Sequence, residues 1–114
     1  STTPATGYIL SVNGKIISEE VRVQVDANWP DYVFDNTYKL KSLKEVEQYI
    51  AANKHLPGIP SARQVEKEGL HLGDMQKRIM EKVEELTLYI IQLSKENQQM
   101  KQEIETLRKI VESK

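Results

Sequence analysis

Residues 72–114 read LGDMQKRIMEKVEELTLYIIQLSKENQQMKQEIETLRKIVESK. The apolar side chains in this stretch recur alternately three and four apart. Setting Val83, Ile90, Asn97, Ile104 and Val111 at heptad position a places Leu72, Ile79, Leu86, Leu93, Met100 and Leu107 at d, with no stutter. This is the seam of a coiled coil. One helix cannot bury such a stripe alone, so the pattern predicts association with identical or related chains.

Flanking charges choose the orientation. Glu96 and Glu103 stand at g, and Lys101 and Arg108 stand five residues on, at the following e. A parallel, in-register coil sets g against the neighbour's e, so both pairs are opposite in sign; an antiparallel coil would set glutamate against glutamate. Each exposed pair contributes only about 0.2–1 kcal/mol, but the reversal of sign separates the two orientations. Parallel packing is the expectation, with Glu96–Lys101 and Glu103–Arg108 as inter-chain ion pairs. Strand number is left open between two and three. Val or Ile at a, Leu at d and a single Asn97 at a suit a dimer, whereas Met80 at e and Tyr89 and Ile110 at g widen the stripe toward a larger bundle. Asn97 is read as a register pin.

The outer face changes along the helix. Leu88 and Ile91 lie outward in its first half, whereas beyond Ser94 the outward residues are Lys95, Gln98, Gln99, Gln102, Glu105 and Lys109. The first half should therefore be covered by the region before Leu70. From about Asp74 to Glu112 the helix would be roughly 58 Å long, its distal half projecting as a stalk.

Composition bounds what else the chain does. Its 114 residues carry 16 Lys and Arg against 17 Asp and Glu, a net charge of −1, which provides no field for nucleic acid or anionic membrane. There is no cysteine, so disulfides and thiolate metal sites are excluded. No apolar run approaches the length of a membrane span, and no signal peptide is visible. A chain that starts at Ser1 rather than methionine is expected to be a fragment of a longer protein.

Before the coil the pattern predicts an α+β fold: a small N-terminal β-hairpin and strand region, then short helices packed on the long parallel coiled-coil helix. Tyr8–Val12, Asn13-Gly14 and Lys15–Ile17 read as a hairpin with a type I′ turn, and Val21, Val23 and Val25 alternate with polar residues as in a half-buried strand. Ser42 with Glu45 caps a helix ending near Asn53. Leu56-Pro57-Gly58-Ile59-Pro60 breaks it, and Ser61 with Gln64 caps a second helix stopping at Gly69. The candidate core is Trp29, Tyr32, Phe34, Tyr38, Leu40, Leu43, Val46, Ile50, Leu56, Ile59 and Val65. Trp29, Tyr32 and Phe34 are expected to pack against Leu88 and Ile91. The domains are then 1–26, a strand segment continuing an upstream fibre; 27–73, a small head; and 74–114, the coil.

Thr2-Thr3-Pro4 leading into Leu10-Ser11-Val12-Asn13-Gly14-Lys15-Ile16 resembles the closing part of the G-I-G-T-x-x-P…L-x-V-x-G-x-I element of tail-fibre-like proteins of bacteria and phages. The order continues with Ala27-Asn28-Trp29-Pro30-Asp31-Tyr32-Val33-Phe34, then His55-Leu56-Pro57-Gly58-Ile59-Pro60-Ser61, then a terminal coil. Over nearly all of the chain it is similar to a C-terminal module of fibre or surface proteins in Bacteroidetes. More distantly it resembles the endosialidase-type intramolecular chaperone domains. The resemblance implies trimeric assembly, an extracellular, cell-surface or virion location, and upstream fibre domains. Self-cleaving members of the chaperone family carry a Ser-Asp pair followed by a basic residue. No Ser-Asp dipeptide occurs here, and the nearest match in order is Trp29-Pro30-Asp31, so the protease activity is not carried over.

Other chemistry is sparse. His55 and His71 lack a triad-like setting, His71 with Asp74 makes only two potential metal ligands, and Asp26, Asp31 and Asp35 lack the spacing of a calcium loop. No catalytic residue, metal or cofactor is therefore expected. A leucine-zipper DNA binder would need a basic helix before the coil, whereas residues 63–82 mix both signs of charge. The expected function is a non-enzymatic oligomerisation module. A self-cleaving serine peptidase acting through Ser42 or Ser61, or a receptor-binding fibre tip, is the alternative.

Overall fold

The computed structural model describes residues 6–24 and 27–114. Three α-helices follow a single 3-10 turn at Tyr32–Phe34: α1 over Leu43–Asn53, α2 over Ala62–Glu68 and α3 over Leu72–Glu112. With 41 residues, α3 sets the shape of the molecule, whose extents are 83 × 30 × 29 Å.

The α+β expectation is overturned. Among the described residues there is no strand and no sheet, and the fold is all-helical. Tyr8–Gln24 carries alternating apolar residues but forms no ladder, and Asn13-Gly14 is a bend rather than the turn of a hairpin. The physical reason is lack of a covering surface: Ile9 and Ile17 are each 99% exposed, and a two-stranded ribbon without a third strand or a helix against it is marginal in water. Val25, Asp26 and the Thr2-Thr3-Pro4 element lie outside the described residues.

The helices obey their local signals. Ser42 accepts a hydrogen bond from the Glu45 amide (3.1 Å) and starts α1, which ends at Lys54 in a left-handed conformation (φ 63°). Ser61 and Gln64 form a complete capping box on α2: Gln64 N–H donates to Ser61 Oγ (3.2 Å), and Ser61 N–H donates to Gln64 Oε1 (2.9 Å). Between them, Ile59 N–H donates to the Leu56 carbonyl, closing a turn with Pro57 and Gly58 in its centre. Gly58 has φ +78°, the value that favours glycine at the third position of a type II turn.

Burial is slight in a single chain. Val33 is 2% exposed and Pro30 is fully buried, and these two, with Glu84 and Tyr89 of α3, are the buried residues of the described chain. Trp29 (49%) and Phe34 (53%), expected in the core, are half exposed. Val33 is the buried residue of the 3-10 turn that contacts α3, and Tyr32 and Phe34 on either side of it stay partly exposed.

Candidate functional site

The seam residues Leu72, Ile79, Val83, Leu86, Ile90, Leu93, Met100, Ile104, Leu107 and Val111 share one face of α3, and their exposures run from 45% to 70%. Asn97 lies exposed on the same face. What holds the head in place uses other faces. The Tyr32 hydroxyl donates to Glu81, the Tyr38 hydroxyl donates to Glu85, and the Tyr89 hydroxyl donates to the Lys41 carbonyl at 2.6 Å. Arg78 reaches back to the Gly58 carbonyl (2.6 Å) while pairing with Asp74 (2.8 Å), and Lys77 reaches the Ala27 carbonyl (3.4 Å). Lys82 bridges Glu81 (3.3 Å) and Glu85 (2.9 Å).

Every one of these α3 residues falls at b, c, f or g of the heptad. None falls at a, d or e. The head thus sits on the back of the helix and leaves the apolar stripe open along its length, which is the arrangement an association surface requires. The open stripe continues past the head, where the stalk beyond Ser94 is exposed all round.

The expected packing of the head on Leu88 and Ile91 holds unevenly. Leu88, at f, is half-buried, whereas Ile91, at b, is 44% exposed. Tyr32 reaches α3 through its hydroxyl, but Trp29 and Phe34 leave much of their rings in solvent. The tyrosine-to-glutamate bonds were not foreseen; their trace in the sequence is the cluster Glu81, Glu84 and Glu85 on the outer face, opposite a segment with two tyrosines.

Glu96, Lys101, Glu103 and Arg108 all lie exposed on the stalk. Among the described residues none of them has an ion-pair partner within the chain: Glu96 accepts from Gln92 (3.4 Å) and Glu103 from Gln99 (3.3 Å), both neutral amides. Ser42 and Ser61 are engaged as caps, as described above. His55 stacks edge-on against Tyr49 (5.6 Å) and touches the Leu56 carbonyl through Nδ1 (2.9 Å), and His71 precedes α3 without a side-chain capping bond. Among the described residues no three His, Cys, Asp or Glu side chains gather to hold a metal ion, and Asp26 lies outside them. No described helix is long and apolar enough to cross a membrane.

Electrostatics tune the docking of the head. Glu84 is 7% exposed, its Oε1 has no hydrogen-bond partner, and burial, with Asp31 and Glu81 close by, raises its pKa above the usual carboxylate value. Tyr32 is pushed up to about 12 by its bond to Glu81 and then by burial; Tyr38 is raised by burial and by its bond to Glu85. Burial, then Glu85 and Glu45, raise Tyr89.

A group whose folded pKa is raised holds its proton more tightly in the folded state. Its contribution is fully present below the unfolded value and is lost as pH rises through the folded one. The contribution of Glu84 to docking is therefore fully present below the ordinary glutamate value of about 4.3, and is lost as Glu84 ionises above it. A second loss follows above about pH 10, where unfolded phenols ionise while the docked ones resist. Trp29 emission recorded across this titration should shift toward that of a solvated indole in the first window for the parent chain. In Glu84→Gln the acid-side change should vanish. An unchanged profile in that variant would assign the acid-side transition to another group.

Compared with family models, curated proteins and solved structures, the chain matches none.

Proposed function

We propose that this chain is a non-enzymatic assembly module of a fibre or surface protein, which registers chains through a parallel coiled coil formed by α3, three chains being the favoured number. The observation that carries the reading is the separation of faces on α3: head contacts at b, c, f and g, and an exposed apolar stripe at a and d. Stalk charges support parallel chains, because Glu96 with Lys101 and Glu103 with Arg108 attract only in that orientation. The exposed apolar residues at e and g, Met80 and Ile110, support three strands, whose flanks are more covered than those of two; Tyr89, the third such residue, is buried under the head. Placement in a fibre and at an extracellular, cell-surface or virion location follows the resemblance of the Asn13-Gly14 and His55–Ser61 segments to fibre C-terminal modules. Ser42 and Ser61 support the non-enzymatic reading, since both hydroxyls are spent on backbone amides.

The mechanism is one of effective concentration. Joining the chains through α3 turns the alignment of upstream segments into an intramolecular step, so a large part of its entropic cost is met once, at the coil. Sedimentation equilibrium tests the reading. The expected mass is three times 13.1 kDa at micromolar concentration. A monomer at that concentration would overturn the assembly reading, and a dimer would overturn the stoichiometry.

A further inference from the structure

The head covers α3 unequally on its two flanks. Lys82 and Tyr89, at g, are packed beneath the head, whereas Met80, Thr87 and Ser94, at e, are exposed. On the g flank α1, the Leu56-Pro57 turn and α3 line a small, mainly apolar cavity of about 130 Å³, with Leu43, Val46, Leu86 and Tyr89 among its walls together with the charged Lys41, Lys82 and Glu85. Its walls are incomplete: Leu43 is 45% and Leu56 42% exposed, and one of its lining residues, Leu86, belongs to the seam and is itself exposed. On the other flank, Ile91 is an outward isoleucine that the head of its own chain leaves uncovered.

In a parallel, in-register coil the g flank of one chain faces the e flank of the next. The charges at Glu96, Lys101, Glu103 and Arg108 select this orientation, so the cavity of one subunit faces Thr87 and Ile91 of its neighbour. Side chains on a helix lean toward its N-terminus, which brings an isoleucine at 91 over the turn of Tyr89. We infer that the head docks in trans, its cavity between α1 and α3 receiving Ile91 of a second copy of this chain. The inference rests on the parallel association proposed above and assigns it a further contact. Each subunit gives one isoleucine and accepts one, so the contact repeats around a closed ring.

The chain has no cysteine, so introduced pairs can be read without ambiguity. Leu43→Cys with Ile91→Cys in one chain, treated with a short bismaleimide, should give covalent species up to the full oligomer on a denaturing gel. Either cysteine alone should give monomer. Leu107→Cys, at a seam position in the stalk, should cross-link to a dimer whether or not heads dock in trans. A Leu107→Cys cross-link with the double variant unlinked, or linked only within single chains, would overturn docking in trans and leave the coil standing. Failure of Leu107→Cys to cross-link would remove the parallel coil, and docking in trans with it. As a second readout, Ile91→Ser should raise the concentration at which the oligomer dissociates by about tenfold or more, whereas Gln98→Ser should leave it unchanged. Equal midpoints for the two would also overturn the inference.

Discussion

Alanine at both Leu86 and Leu93 leaves the chain monomeric at micromolar concentration. Both residues are exposed seam positions in the single chain, and both would become interior in the coil proposed above. Removing a buried leucine side chain costs about 2–5 kcal/mol, and in an oligomer each loss recurs in every subunit. At the lower end of that range the six deletions of a trimer remove about 12 kcal/mol, comparable to the whole free energy of a nanomolar association. Helicity should fall together with mass. The stalk beyond Ser94 has no head against it, and isolated helices owe most of their stability in proteins to a packed apolar face. Sedimentation and circular dichroism at 222 nm would check both. The exposed outer pair Gln98→Ala with Gln102→Ala should alter neither, and a double-leucine variant that still sediments like the parent would mean that another surface holds the chains together.

Aspartate at Val33 detaches the head. Val33 is the most deeply buried apolar residue after Pro30, and it belongs to the 3-10 turn that lies against α3. The α3 surface near that turn carries Glu81, Glu84 and Glu85, and Glu84 already has an unsatisfied carboxylate oxygen. A further carboxylate would be desolvated beside these like charges, whose nearby cation, Lys82, is already paired with Glu81 and Glu85, a loss of several kcal/mol. Expected results are Trp29 emission typical of solvated indole and rapid hydrogen exchange over residues 29–65, with the oligomer mass retained through the stalk. Val33→Ala, which only trims the contact, should lie between parent and aspartate. If the aspartate variant kept parent-like Trp29 emission, the polar contacts of Tyr32, Tyr38, Tyr89, Lys77 and Arg78 would hold the head without Val33.

The sequence is most legible where a period or a cap decides the structure. Heptad spacing locates α3 to within two residues of its start, and Ser42, Ser61 and Gly69 bound the short helices because each supplies or spares a specific backbone hydrogen bond. The misreading of Tyr8–Val23 as β-structure has the opposite cause. Alternation states which residues would share a face, but a ladder also needs an edge to pair with, and that is not a local property. Docking of the head was legible only in outline. Leu88 announced that something covers the back of α3, yet the bonds that place it run from Tyr32, Tyr38 and Tyr89 across 47 to 49 positions, and no local pattern encodes such pairings. Ile91 looked equivalent to Leu88 on a helical wheel. The structure separates them: Leu88 is half-buried, whereas Ile91 is exposed although Glu84, one heptad earlier at the same position, is buried beneath the head.

In the proposed coil the stalk beyond Ser94 would act as a ruler. Its outer face is polar and in the single chain it touches nothing outside α3, so its length is set by how many heptads it contains and by no constraint from the head. Seven residues advance an α-helix by about 10.5 Å and return the chain to nearly the same face. Whole heptads added or removed after Ser94 would therefore move the far end of the molecule in steps of that size without rotating the seam. An insertion of three or four residues would instead turn the distal stripe away from the proximal one and force the coil to over- or underwind. Natural variation in the reach of such molecules should then come in sevens.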